Sequence, residues 1–122
     1  MIGNEAVNFS AGANLFMMVV GAQQGMWDML EGAVKKLQDL NIRMRYSPKP
    51  IVVAPAGLTL GGGCEITMHG SRVVAATETY IGLVELGAGV IPAGGGTMPA
   101  CAPTARCRRA VRWASIAARS IR

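Results

Sequence analysis

Two carboxylates and a run of glycines are the residues of this chain best placed to do chemistry. The stretch Leu60-Gly61-Gly62-Gly63-Cys64-Glu65 follows the apolar run Ile51-Val52-Val53-Ala54. That order reads as strand, sharp turn and helix start. Glycine lets the backbone take positive φ and lets a ligand approach the peptide groups with no Cβ in the way. A helix that begins inside such a turn points unpaired N–H groups, and the positive end of its dipole, outward. With Glu65 in its first turn, the stretch offers donors for an oxyanion beside a group that can move a proton. Glu85 is the second acid, set among Ile81, Leu83, Val84 and Leu86. Two carboxylates reaching one cleft from separate elements can divide acid and base roles. Both features also have plain readings, the glycines as an ordinary tight turn and Glu85 as a solvated surface acid.

Other chemistries find no support. No Lys-Ser/Thr follows either glycine run, Gly61-Gly62-Gly63 or Gly94-Gly95-Gly96, so neither is a phosphate loop, and the G-x-G-x-x-G spacing is absent. His69 is the only histidine and no serine or cysteine has an obvious partnership with it, so its expected role is structural. Cys101 and Cys107 are too far apart for a metal-binding pair, and no metal site is expected. Three cysteines do not suggest a disulfide framework. No apolar run approaches the ~20 residues of a membrane span, and no signal-peptide pattern opens the chain. The default location is therefore cytoplasmic.

The elements that must carry these residues can be read from periodicity. A hydrophobic content of 51% with 16% charged residues is that of a globular chain, and 122 residues make one small domain. Residues 1–15 hold a weak extended run around Ala6 to Phe9, then a small-residue turn, as though the chain opened just before a loop. Residues 16–45 read as helix, weakened near Gly21 and Gly25. Met26, Leu30, Ala33, Leu37, Leu40 and Met44 form one apolar stripe, expected to face the core. Glu31 with Lys35 and Asp39 with Arg43 are expected i,i+4 ion pairs. Ser47-Pro48-Lys49-Pro50 stops the helix. Strands are expected at Ile51–Ala54, at Arg72–Ala76 and briefly at Tyr80–Gly82, with a short helix from Cys64 to His69 ended by Gly70. The glycine-rich stretch 89–97 is a loop. Strand–helix–strand alternation of this kind points to an α/β fold.

The net charge of +5 is not spread along the chain. Residues 1–97 hold all seven acids and six basic groups, whereas residues 98–122 hold six arginines and no acid. This atypical Arg/Ala-rich tail (98–122) is divided from the body (1–97), and Ala105–Ile121 could form a basic amphipathic helix. A tail-mediated polyanion- or RNA-binding module is the reading from another class, but Trp113 is its only base-stacking aromatic. No nucleic-acid or membrane partner is expected of the body.

Four motifs then occur in order at natural spacings: F-S-A-G-A-N-L at 9–15, S-P-K-P-I-V-V-A at 47–54, G-L-T-L-G-G-G-C-E at 57–65, and Y-I-G-L-V-E-L-G-A-G-V-I-P-A-G-G-G-T at 80–97. Together they resemble the crotonase (enoyl-CoA hydratase/isomerase) superfamily over about residues 3–97. The wording is nearest to the hydratase module of bacterial fused 3-hydroxyacyl-CoA dehydrogenase/enoyl-CoA hydratase proteins of fatty-acid β-oxidation.

The resemblance implies a partial ββα spiral core, lacking the family's N-terminal strands and C-terminal helices. It implies an acyl-CoA thioester substrate whose carbonyl oxygen sits between the backbone N–H groups of Ala13 and Gly62. Ala11, Gly12, Leu15, Gly61 and Gly63, in the same two turns, are the implied substrate contacts. Glu65 and Glu85 are the implied catalytic pair, adding water to a 2-enoyl-CoA, and the presence of both favours hydration over isomerisation. No cofactor is implied, since coenzyme A enters as part of the substrate, and a trimer-based homo-oligomer is the implied assembly. Asn14 and Phe16 stand where many relatives carry Asp and Lys. The arginine-rich tail resembles a shifted reading frame more than the family's continuation, and a chain of half the family's length is expected to turn over little or no substrate alone.

Overall fold

The computed structural model describes residues 1–97. The expected basic helix over 105–121, with Cys101 and Cys107, lies outside the described residues. Helix α1 spans Leu15–Gln23 and α2 spans Trp27–Arg45; strands β1 (Val52–Val53) and β2 (Leu58–Leu60) precede α3 (Gly62–His69), and β3 (Arg72–Val73) and β4 (Tyr80–Gly82) follow it. A 3-10 turn at Glu85–Ala88 leads into the last glycines.

The strands pair in an interleaved way. β1 lies parallel to β3, and β2 lies parallel to β4, in two separate sheets. Ile2 bridges to Val53 and Ser10 to Thr59, also in parallel, so each sheet gains a single-residue rung from the N-terminal segment. Each turn of chain thus gives one rung to each sheet and then crosses back through helix. The first turn is Ile2, Ser10, α1 and α2; the second is β1, β2 and α3; the third is β3 and β4. This is a ββα spiral. Its parallel register is what brings Ser10, Leu60 and Gly82 to one edge, with Leu60 N–H donating to Ser10 O at 2.9 Å and Gly61 N–H to Gly82 O at 3.1 Å.

Several expectations are corrected here. The extended run at Ala6–Phe9 is bent chain, and the N-terminal contacts fall at Ile2 and Ser10 instead. β2 went unread because Pro55 and Gly57 break the pattern on its doorstep; Gly57 has φ 56°. β3 is two residues, not five, although the N–H groups of Val74 and Ala76 still reach Val53 O and Pro55 O. α3 starts at Gly62, two residues earlier than expected, within the glycines themselves. The long helix is broken as anticipated, at Gln24–Met26, where Gly25 takes φ 69°. Asn14 caps α1, its Oδ1 accepting the Met17 N–H at 3.2 Å.

The ion pairs and the stripe of α2 are also revised. Lys35 pairs with Asp39 at 3.2 Å, both well exposed, in place of the two expected pairs. Such a pair is worth ~0.3–0.5 kcal/mol at most. Of the six stripe residues only Met44 is buried, while Met26, Ala33 and Leu40 are exposed. The inward face is turned toward Leu30, Val34, Leu37, Gln38, Asn41 and Met44, and so includes two amides. Gly32 of α2 has open space where a Cβ would stand. Gly32→Ala is expected to stabilise the fold by ~0.5–1 kcal/mol, read as a higher urea midpoint, because it removes glycine's entropy cost in a helix.

Candidate active site

Three turns of backbone meet at Gly61. Its φ of 55° and ψ of −123° lie where a side chain is strained, and it serves as N-cap of α3. A Cβ there would stand 3.6 Å from Gly12 Cα and 3.5 Å from Glu85 Oε1. The A-G-A turn, the glycine turn and the second acid are therefore neighbours, although 49 and 24 positions separate Gly12 and Glu85 from Gly61 in the chain.

The hydrogen bonds sort the donors. Gly12 N–H is spent on Ser10 Oγ at 3.2 Å, and Gly61 N–H on Gly82 O. Neither glycine is a free donor for a ligand. The N–H groups of Ala13 and Gly62 have no partner among the described residues. Gly62 is the first residue of α3, where unpaired N–H groups and the helix dipole favour negative charge. Gly63 is buried for packing, since a Cβ there would overlap Ser10 Cβ. Ala11 and Leu15 are exposed on either side of Ala13, with Leu15 opening α1.

Glu65 is 2% exposed, and its carboxylate is held by backbone. Oε1 accepts the Gly96 N–H at 2.8 Å and Oε2 accepts the Gly94 N–H at 3.2 Å. A buried carboxylate needs such donors, because an unpaired charge there costs several kcal/mol. Gly94-Gly95-Gly96 is thus an anion clamp, a role that the sequence did not reveal. The clamp is glycine for steric reasons too. A Cβ on Gly94 would overlap Glu65 Oε2, and one on Gly96 would stand 2.9 Å from Oε1.

Glu85 is treated differently. It opens the 3-10 turn, half-buried, and its Oε2 is buried with no hydrogen-bond partner. Burial pushes its carboxyl above the ordinary range; its own backbone N–H partly opposes this, and the charge of Glu65 adds to the rise. A raised carboxyl pKa favours the folded state at acid pH, and that contribution is lost as pH rises through the folded value. Glu85→Gln is expected to raise the melting temperature at pH 7 and to leave it unchanged below pH 4. Thermal unfolding at the two pH values checks this.

Two neighbours complete the site. Cys64 lies buried between the glycines and Glu65, its thiol pushed up to about 12 by burial first and then by Glu85 and Glu65. It is consequently a poor nucleophile. His69, at the other end of α3, places Nδ1 2.7 Å from the Glu65 carbonyl oxygen. A carbonyl can only accept, so the proton is on Nδ1 and the ring is tied to its own helix. Among the described residues no cluster of His, Cys, Asp or Glu could hold a metal ion.

Gln38 and Asn41 of α2 were missed by sequence reading. Gln38 Nε2 donates to Ala93 O at 2.7 Å, and Asn41 Nδ2 donates to Gly94 O at 2.8 Å. The available signal was two amides on the flank of an apolar stripe.

Comparison with known proteins agrees with this architecture. The family model described as enoyl-CoA hydratase/isomerase matches residues 1–102. A Bacillus subtilis protein bearing the name 3-hydroxyacyl-CoA dehydrogenase is 44% identical over 89 residues, covering 73% of this chain and 11% of that protein. The chain therefore spans about a tenth of that relative's length. The crystal structure of an enoyl-CoA hydratase from Thermoplasma volcanium superposes with TM-score 0.64 at 28% identity, over 77% of this chain and 37% of that one. One from Polaromonas sp. JS666 gives TM-score 0.76 at 24% identity, over 88% and 42%, and speaks to the fold alone. A ββα spiral with its glycine turn, A-G-A turn and Glu85 at one edge, matched over most of its length by that family, makes this chain a member of the enoyl-CoA hydratase/isomerase (crotonase) family and a part of that fold.

Proposed function

We propose that the chain carries the reacting centre of an enoyl-CoA hydratase of fatty-acid β-oxidation. The observation that carries this reading is the approach of Gly12 and Glu85 to Gly61, with Gly12 Cα and Glu85 Oε1 lying 3.6 and 3.5 Å from where a Gly61 Cβ would stand. The unpaired N–H groups of Ala13 and Gly62 belong to the residues that follow Gly12 and Gly61, and the charge of Glu65 reaches Glu85, which supports the reading. A thioester oxygen accepts from Ala13 N–H and Gly62 N–H. Water then gives its oxygen to the β-carbon and a proton to Glu65, the double-bond pair moves to the α-carbon and thioester oxygen, and the resulting enolate takes a proton at the α-carbon from Glu85. The two donors stabilise the enolate more than the ground-state carbonyl, which is what lowers the barrier. Glu65 is set as the acceptor by its fixed carboxylate, and Glu85 as the acid by its raised carboxyl. The working assembly in this reading is a cytoplasmic, trimer-based homo-oligomer.

The test uses acetoacetyl-CoA, whose enolate has its own near-ultraviolet band. Titrating the 122-residue chain with this thioester is expected to give a saturable enolate band, weakened by Gly62→Pro. Proline fits the first position of a helix but brings no N–H. Absence of the band in the wild-type chain, or an undiminished band in the variant, overturns the assignment.

A further inference from the structure

Asn41 is the polar residue of this fold with the least evident reason to be buried. It is fully enclosed, on the inward face of an amphipathic helix that, apart from half-buried Gln38, offers Leu30, Val34, Leu37 and Met44. Its Nδ2 donates to Gly94 O at 2.8 Å, but its Oδ1 has no partner among the described residues. Half of the amide is unsatisfied, and an unpaired buried acceptor costs free energy. A leucine of similar size would avoid that cost. The residue is therefore a poor choice for stability, and what it gains is a hold on one peptide.

That peptide belongs to the clamp. Gly94 donates its N–H to Glu65 Oε2 and accepts from Asn41 through its carbonyl, so the loop is gripped from both sides. One residue earlier, Ala93 O accepts from Gln38 Nε2 at 2.7 Å. Gly94, Gly95 and Gly96 have no side chains with which to fix their own position, and Gly95 takes φ 109°. A loop so permissive costs much entropy to order. Something outside it must hold it, and the amides of α2 are placed to do so.

We propose that Asn41 is a positioning residue for Glu65: with Gln38 in support, it fixes the glycine loop so that the Gly94 and Gly96 N–H groups hold the Glu65 carboxylate at one place and orientation. Asn41 touches neither water nor thioester in this scheme. Its catalytic consequence rests on the reading of Glu65 as the acceptor of the water proton, whereas the loop-holding itself does not.

The test separates the two. Amide hydrogen exchange is followed by NMR in the full 122-residue chain and in Asn41→Leu and Gln38→Leu. Asn41→Leu is expected to speed exchange of the Gly94 and Gly96 amides about tenfold, the factor that corresponds to one buried hydrogen bond. Leu60, which donates to Ser10 in the sheet, is expected to keep its protection. Gln38→Leu, at a half-buried position, is expected to act in the same direction by a smaller factor, and it decides the matter if the first variant does not fold. Unchanged exchange at Gly94 and Gly96 in the folded variants, or a uniform rise that includes Leu60, overturns the proposal. With crotonyl-CoA, and enough protein for the slow wild-type rate to be measured, Asn41→Leu is expected to lower kcat about tenfold with KM unchanged, since binding contacts are not altered. A rise in KM alone overturns the positioning role. Loosened exchange with unaltered kcat retains the loop-holding but refutes the positioning role of Asn41 in turnover.

Discussion

Gly94→Ala is expected to lower the unfolding free energy by about 3–5 kcal/mol, read as a drop in urea midpoint with little change in slope. Two effects add. The new Cβ would overlap Glu65 Oε2 and come within 2.6 Å of Leu37 Cδ2, so both the acid and α2 must shift. Overpacking of this sort costs ~1–3 kcal/mol by itself. The shift also draws the Gly94 N–H away from the carboxylate, leaving a buried charge with less compensation. Because small domains are stable by only ~5–15 kcal/mol, a loss of this size is a large share of the margin. Gly89→Ala supplies the contrast, since it has φ 77° but nothing within 4 Å. Its cost is confined to backbone strain of ~1 kcal/mol. Equal losses at the two positions would refute the clamp.

The second large effect is expected from Glu65→Gln. Each carboxylate oxygen now accepts a backbone N–H, from Gly96 and from Gly94. A glutamine must turn its amide NH2 toward one of them, so donor meets donor at a buried position. The expected cost is ~1–3 kcal/mol of stability. Hydration of crotonyl-CoA, followed with enough protein for the wild-type rate to be measured, is expected to fall by ~10²–10⁴. Glu85→Gln should reduce hydration similarly while raising stability at neutral pH, because its Oε2 has no donor to lose and its carboxyl is already pushed toward the neutral form. Opposite signs in stability from the same chemical change distinguish the two acids. If Glu65→Gln proved as stable as the parent, the backbone clamp would not be holding a charge.

The glycine turn, the helix it opens and the family were written in residue types and spacing. Three glycines before Glu65 announced a helix opening in a turn, and the structure places the start of α3 at Gly62. The isolated histidine, the odd number of cysteines and the missing phosphate-loop lysine gave other mechanisms no support, and the four linked motifs pointed to the family. Local rules sufficed there because each signal lies within one turn of chain. The break in the long helix was legible for the same reason, since Gly25 is a local cost.

What tertiary structure alone decided is how those groups are held. The Glu65 donors come from 29 and 31 positions away, and the amides of α2 act across 53 and 55. No periodicity encodes a pairing at such separations. The inward face of α2 was misjudged by about one position because apolarity alone set the stripe, whereas the loop's carbonyls drew Gln38 and Asn41 inward. β2 escaped notice because a three-residue strand gains its identity from its partner and not from its own pattern. The sequence by itself determined which groups were candidates, through composition and short-range geometry. The parallel spiral decided which N–H groups remain unpaired and which of the two acids is clamped, because hydrogen bonds are shared out only once distant segments compete for the same donors.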